Sequence, residues 1–151
     1  MTDLENQLRA LLDREAIRDL PKRYCDRVWH DDAEGLSELF TPDGKFSVVL
    51  SDKTIEISGR DEILKFMREG LADRPRPYIH NHIVELTDEN HASGRAYLDL
   101  RSAKHRFDWL GAGFYEDEYL KQGDRWLFAQ QTFHALRIDE WPGELDQADS
   151  R

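Results

Sequence analysis

Histidines, tyrosines and carboxylates are the groups of this chain that could move a proton near neutral pH. There are six His and five Tyr among 151 residues. An imidazole titrates near 6.5, and a phenol carries a hydroxyl on an apolar ring. A His–Tyr pair on an apolar face therefore suits proton abstraction beside a carbonyl. Along a strand from Tyr78 to Leu86 the side chains alternate, so His80, His82, Val84 and Leu86 share one face. That face is read as the inner one, with His80 as the candidate base and His82 as a substrate contact. Ile79, Asn81, Ile83 and Glu85 form an opposite face that is also half apolar, and a bulge near Pro77 would exchange the two. Polar core residues bonded to backbone are the plain alternative for both histidines.

Tyr24 shares helical spacing with Ile17, Leu20 and Val28 and so points inward, either as an electrophilic partner or as a buried phenol tied to a neighbour. Asp26 lies about 200° around the wheel from Tyr24, whereas Asp31 returns to its face. Both are candidate catalytic carboxylates, with capping or helix solvation as the alternative. Phe107, Trp109, Gly111, Gly113 and Tyr115 alternate large and small on one face, as in a sheet that bends around a cavity. Trp109, Tyr115 and Trp29 are the candidate walls for a flat ligand. In Trp126, Phe128, Gln130, Thr132 and His134 polar groups enter an aromatic face, which marks His134 as a further substrate contact. The acidic run Glu116-Asp117-Glu118 reads as a solvated edge or an ion-paired strand. Arg74 and Arg76 read as a surface loop that could meet an anionic or phenolate-like ligand.

Composition removes several other classes. Lys plus Arg is 21 against 31 Asp plus Glu, a formal charge of −10. Neither a phosphate-tracking surface nor attraction to anionic membranes fits that balance. Four Trp and seven Phe supply the apolar area that a disordered chain lacks. No apolar run approaches the roughly 20 residues of a spanning helix. Cys25 is alone, so neither an internal disulfide nor zinc-type spacing is available. His80 and His82 lack an evident third metal ligand, and there is no glycine-rich phosphate loop or Gly-x-Ser-x-Gly elbow. Neither cofactor nor metal is expected. The first residues have no basic region followed by an apolar one, so a cytoplasmic protein is expected.

These side chains must be placed by a single domain over 1–138, with 139–151 as a polar tail. Helical spacing runs from about Asp3, the expected N-cap, to about His30, and Pro21 predicts a kink or two helices. A short helix follows, capped by Asp31 or Asp32 and closed by a turn at Thr41-Pro42-Asp43-Gly44. Lys45–Leu50 and Thr54–Ser58 form a hairpin. A helix capped by Asp61 comes next, then an irregular stretch over 72–77. Four long antiparallel strands complete the order, at Tyr78–Leu86, His91–Lys104, Phe107–Leu120 and Arg125–Ile138. The class is α+β: a strongly curved antiparallel sheet wrapped around N-terminal helices.

That order and several local strings resemble the SnoaL-like, scytalone dehydratase-like branch of the nuclear transport factor 2-like superfamily. The strings are Arg14-Glu15-Ala16-Ile17-Arg18-Asp19-Leu20 with Tyr24, then Leu39-Phe40-Thr41-Pro42-Asp43-Gly44. Further along come Ile79-His80-Asn81-His82, Ala92 and Gly94, and Phe114-Tyr115-Glu116-Asp117-Glu118-Tyr119 leading to Gly123, Trp126 and Phe128. The resemblance covers about residues 8–137. It implies a cone-shaped, cystatin-like barrel and a homodimer formed through the outer sheet face. It also implies cofactor-independent dehydratase, isomerase or cyclase chemistry on a small hydrophobic ring or polyketide-like compound. Tyr24 matches a first-helix tyrosine used by some dehydratases. Trp29 and Pro77 stand where the family's Asp–His pair is usual, which leaves a non-catalytic small-molecule-binding or assembly module as the alternative.

Overall fold

The structure, a computed structural model, describes residues 1–139, apart from the side chain of Ala72. All but the first residue of the expected tail therefore lies outside the described residues. Helix α1 spans Asp3–Trp29, α2 Ala33–Ser37 and α3 Arg60–Gly70. The strands are β1 Phe40–Val49, β2 Thr54–Ser58, β3 Arg76–Leu86, β4 His91–Arg101, β5 Trp109–Gln122 and β6 Arg125–Ile138. They form one sheet in the order β2-β1-β6-β5-β4-β3, antiparallel throughout except where β1 runs parallel to β6. The α+β architecture expected from the change of period is the one observed. None of the described helices is long and apolar enough to cross a membrane.

Local expectations fail in instructive ways. Helix α1 is continuous through Pro21, whose ring is fully buried, so packing overrides the local penalty of a missing donor. Its N-cap is Thr2 rather than Asp3: the Thr2 hydroxyl accepts from Glu5 N, and the Glu5 carboxylate accepts from Thr2 N. Gly59, at φ 94°, stands at the cap of α3 in place of the expected Asp61. Thr41–Gly44 lies within β1, where the register with β6 shifts between Phe40 and Lys45, so the turn chemistry makes an irregularity instead of an end.

The buried face of α1 carries Ile17, Leu20, Tyr24 and Val28 and packs on the sheet, where Tyr24 meets the rings of Phe46, Tyr115 and Phe128. Asp13 ties this helix to the β5–β6 turn, accepting from Trp126 Nε1 at 2.9 Å and from Lys121 Nζ at 3.0 Å. Asp13→Ala leaves an indole N–H and an ammonium without their acceptor. It is expected to cost about 3 kcal/mol, read from the urea midpoint at unchanged slope.

Candidate functional site

Three β-bulges decide which side chains reach the helix-covered face of the sheet. In β3, Ile79 opposes Leu98 and His82 opposes Ala96, so two residues, His80 and Asn81, face Tyr97 alone. The bulge puts His80 and His82 on opposite faces, which corrects the expectation that they share one. His80 lies outside, 53% exposed, with Nε2 at 2.8 Å from Asp99 Oδ2. In β5 the register with β4 shifts at Leu110, which is buried, while Trp109 turns outward and donates to Asp99 Oδ1. In β6 an extra residue, Ala129, separates Phe128 from Gln130 and reverses the alternation. His134 is thereby outside, stacked on Phe114 at 4.7 Å and paired with Glu116, while Gln131 and Phe133 are buried.

The other expected residues divide. Tyr24 and Tyr115 do come together: their rings meet edge to face at 5.7 Å, and burial pushes both phenols up. Asp26 is exposed beside His30. Asp31 is held in the left-handed region at φ 55° and pairs with the buried Arg76, which also donates to the carbonyls of Val28 and Leu71. Trp29 donates to the Pro77 carbonyl, stacks on Phe107 and packs at a tilt against Tyr78. Asp31 and Trp29 therefore brace the end of α1 and do not line the cavity.

That cavity, about 50 Å³, lies beside Tyr24 and Tyr115 and is lined also by Met67, Leu100, Phe133 and Arg74. It is apolar except for the two phenols and the guanidinium. Arg74 stacks on Phe66 at 3.7 Å and donates to its carbonyl, while Arg74 Nε is buried without a partner among the described residues. Burial lowers its pKa.

Beyond the phenols the buried face of β5 continues with Asp117 and Tyr119, a row hidden within what reads in sequence as an acidic run. Asp117 is 3% exposed. Tyr119 donates to Asp117 Oδ2 at 2.8 Å, and His82 Nε2 lies 2.9 Å from the Tyr119 oxygen. Burial pushes the Asp117 carboxyl up to about 8, so at neutral pH it is protonated. Its Oδ2 accepts from Tyr119, which leaves the proton on Oδ1. That oxygen has no partner among the described residues, nor has either amide atom of Gln131, the cross-strand neighbour of Asp117. His82 is pushed down to about 4 by burial, then by Arg18 and Lys22, and its buried Nδ1 is likewise unpartnered. Gly94 makes the His82–Tyr119 contact possible, since a Cβ there would stand 3.0 Å from the imidazole Nε2 and 2.9 Å from the phenol ring. The alternation Tyr115-x-Asp117-x-Tyr119 was the available signal.

The SnoaL-like domain profile matches residues 9–132. The chain belongs to the SnoaL-like family. Among curated proteins none matches the sequence. The solved structures it resembles share its fold. An NTF2-like protein with a cystatin-like fold from Novosphingobium aromaticivorans is 25% identical, covering 90% of each chain at a TM-score of 0.77. Rv3472(D26N) of Mycobacterium tuberculosis, a protein of unknown function, is 25% identical over 91% of this chain and 78% of its own, at 0.75. Hexachlorocyclohexane dehydrochlorinase LinA-type3 from Novosphingobium barchaimii shares the fold at 18% identity and a TM-score of 0.76, over 91% and 95%. In this SnoaL-like chain the polar row runs from α1 across β5 to β3.

Proposed function

We propose that the chain is a cofactor-independent acid/base enzyme that acts on a small, mostly apolar ring compound bearing a carbonyl. The observation that carries the reading is the row Tyr24, Tyr115, Asp117, Tyr119 and His82 beside an apolar hollow rimmed by Arg74. The cavity-lining phenols Tyr24 and Tyr115 are donors for a carbonyl oxygen that gains charge as a neighbouring C–H bond breaks, with the protonated Asp117 behind them in the row. The unpartnered Nδ1 of His82 at the row's far end is the base that takes the proton. The Arg74 guanidinium adds a positive charge at the rim. His82 is a neutral imidazole above about pH 4, and Asp117 keeps its proton below about pH 8. Both are in their working forms between these limits, so a bell-shaped rate profile is expected. Loss of water, double-bond migration or ring closure then follows from the same enol. A ring compound exceeds about 50 Å³, so access requires the Arg74–Phe66 stack at the rim to open.

A panel of cyclic enones and phenols screened by thermal shift supplies ligands. Hits are then incubated in D2O, and deuterium uptake beside the carbonyl is followed by NMR. Catalysed exchange is expected, falling about 100-fold in Tyr24→Phe and unchanged in His80→Ala. A ligand bound tightly but recovered without deuterium would sink the enzymatic reading. It would favour the second, a binding module, for which the cavity wall's lack of histidine and carboxylate speaks. The same proposal places the protein in the cytoplasm. It pairs two copies through the outer sheet face, where Ile83 and Leu136 are exposed.

A further inference from the structure

The first three turns of α1 carry leucines that nothing among the described residues covers. Leu4, Leu8, Leu11 and Leu12 are between 53% and 74% exposed. At about 100° per residue they occupy an arc of about 100°, centred about 170° from the arc of Ile17, Leu20, Tyr24 and Val28. One helix therefore has two apolar stripes: the later one buried on the sheet, the earlier one facing away from the body. A packed partner is what such a stripe calls for, since single exposed leucines are ordinary but four on one helical face are not.

The charges beside the stripe select the partner. On one flank Glu5 precedes Arg9, and on the other Asp3 precedes Arg14. Each flank thus runs from acid to base along the helix. A second copy laid antiparallel, with Leu8 near the two-fold axis, sets Glu5 against the partner's Arg9 and Asp3 against the partner's Arg14. Leu4 then meets the partner's Leu12. A parallel copy would bring the acidic ends together and the basic ends together. We propose that α1 self-associates through Leu4, Leu8, Leu11 and Leu12 as an antiparallel, isologous helix pair between two copies of this chain. This contact is separate from the outer sheet face and from the chemistry proposed above.

Sedimentation equilibrium of the full chain across a concentration series reads the association. Leu8→Glu is expected at least to halve the mass reached at high concentration, whether the remaining unit is a monomer or a sheet-paired dimer. Its circular dichroism should be unchanged, because Leu8 is exposed in the single copy. Arg9→Glu, which faces the partner's Glu5, is expected to weaken association at least tenfold, and Arg9→Lys to preserve it. Orientation is read by oxidising a mixture of Leu4→Cys and Leu12→Cys proteins. The antiparallel pair joins one variant to the other through the two introduced thiols, whereas a parallel pair joins each variant only to itself. An unchanged mass in Leu8→Glu, or cross-links only between identical positions, would overturn the proposal. A stripe covered by the chain's own residues 140–151 would give that first outcome.

Discussion

Asp117→Asn is expected to remove a decline in stability that the natural chain suffers between pH 6.5 and pH 8. The folded chain holds the Asp117 proton up to about pH 8, while an unfolded carboxyl releases it near 3.8. Between those values the unfolded state binds fewer protons, so stability falls as pH rises. The contribution is complete below about pH 4 and gone above about pH 8. About four units at 1.36 kcal/mol each make it on the order of 5 kcal/mol. His82 works in the opposite sense. Its folded pKa is pushed down from 6.5 to about 4, so its contribution is present above 6.5 and lost on acidification towards 4. Below pH 6.5 the two slopes oppose each other, and above it Asp117 acts alone. Asparagine keeps the size of the protonated carboxyl and can still accept from the Tyr119 hydroxyl. The variant should hold its stability from pH 6.5 to 8.5, and it should lose stability more steeply than the parent below 6. Urea midpoints at pH 4.5, 6.5 and 8.5 measure this. Parallel curves for the two proteins would mean that Asp117 is ionised in the fold and cannot be the buried acid of the site.

The elements are readable in the sequence because a change from helical to twofold period survives any local irregularity. The existence of α1, α3 and the four long strands follows from Leu, Ile and aromatic spacing alone. Facing is not readable, and for one reason. Counting in twos puts His80, Trp109 and His134 on the buried face, and each position is displaced by a single inserted residue: at 80–81, at Leu110 and at Ala129. One extra residue flips everything past it. None of the inserted residues is a glycine or a proline, so the sequence carries no local sign of them. Asp117 escapes for a different reason. Its neighbours Glu116 and Glu118 are exposed, and a run of three acids reads as solvated although alternation buries the middle one. Tyr24 and Tyr115 are legible because aromatic rings go inward with or without a function.

The curvature that leaves room for the hollow makes a second, larger prediction at the far end of β5. Gly111 and Gly113 pair with Ile138 and Ala135, and β6 carries a second extra residue besides Ala129, Leu136, between Arg137 and Ala135. There the β6 backbone passes close over β5. A Cβ on Gly111 would stand 2.2 Å from the Arg137 carbonyl oxygen. A Cβ on Gly113 would stand 2.3 Å from the His134 carbonyl oxygen and 2.6 Å from the Phe133 ring. Both obstacles are mainly backbone held in the sheet, so the strands must part, at the loss of ladder bonds and of the Tyr115–Phe133 contact that walls the cavity. Gly111→Ala and Gly113→Ala are each expected to cost more than about 4 kcal/mol, among the larger single-residue effects. Gly123→Ala is the control. Its φ of 63° is unfavourable for alanine, but nothing lies within 4 Å of the added carbon, so about 1 kcal/mol is expected. Thermal unfolding of the three variants ranks them. Of the two, Gly113→Ala should also abolish ligand-induced thermal shifts in whatever fraction still folds, because it displaces Phe133 directly. Equal, small losses at all three positions would mean that the β5–β6 bulge yields easily, and that the cavity does not depend on it.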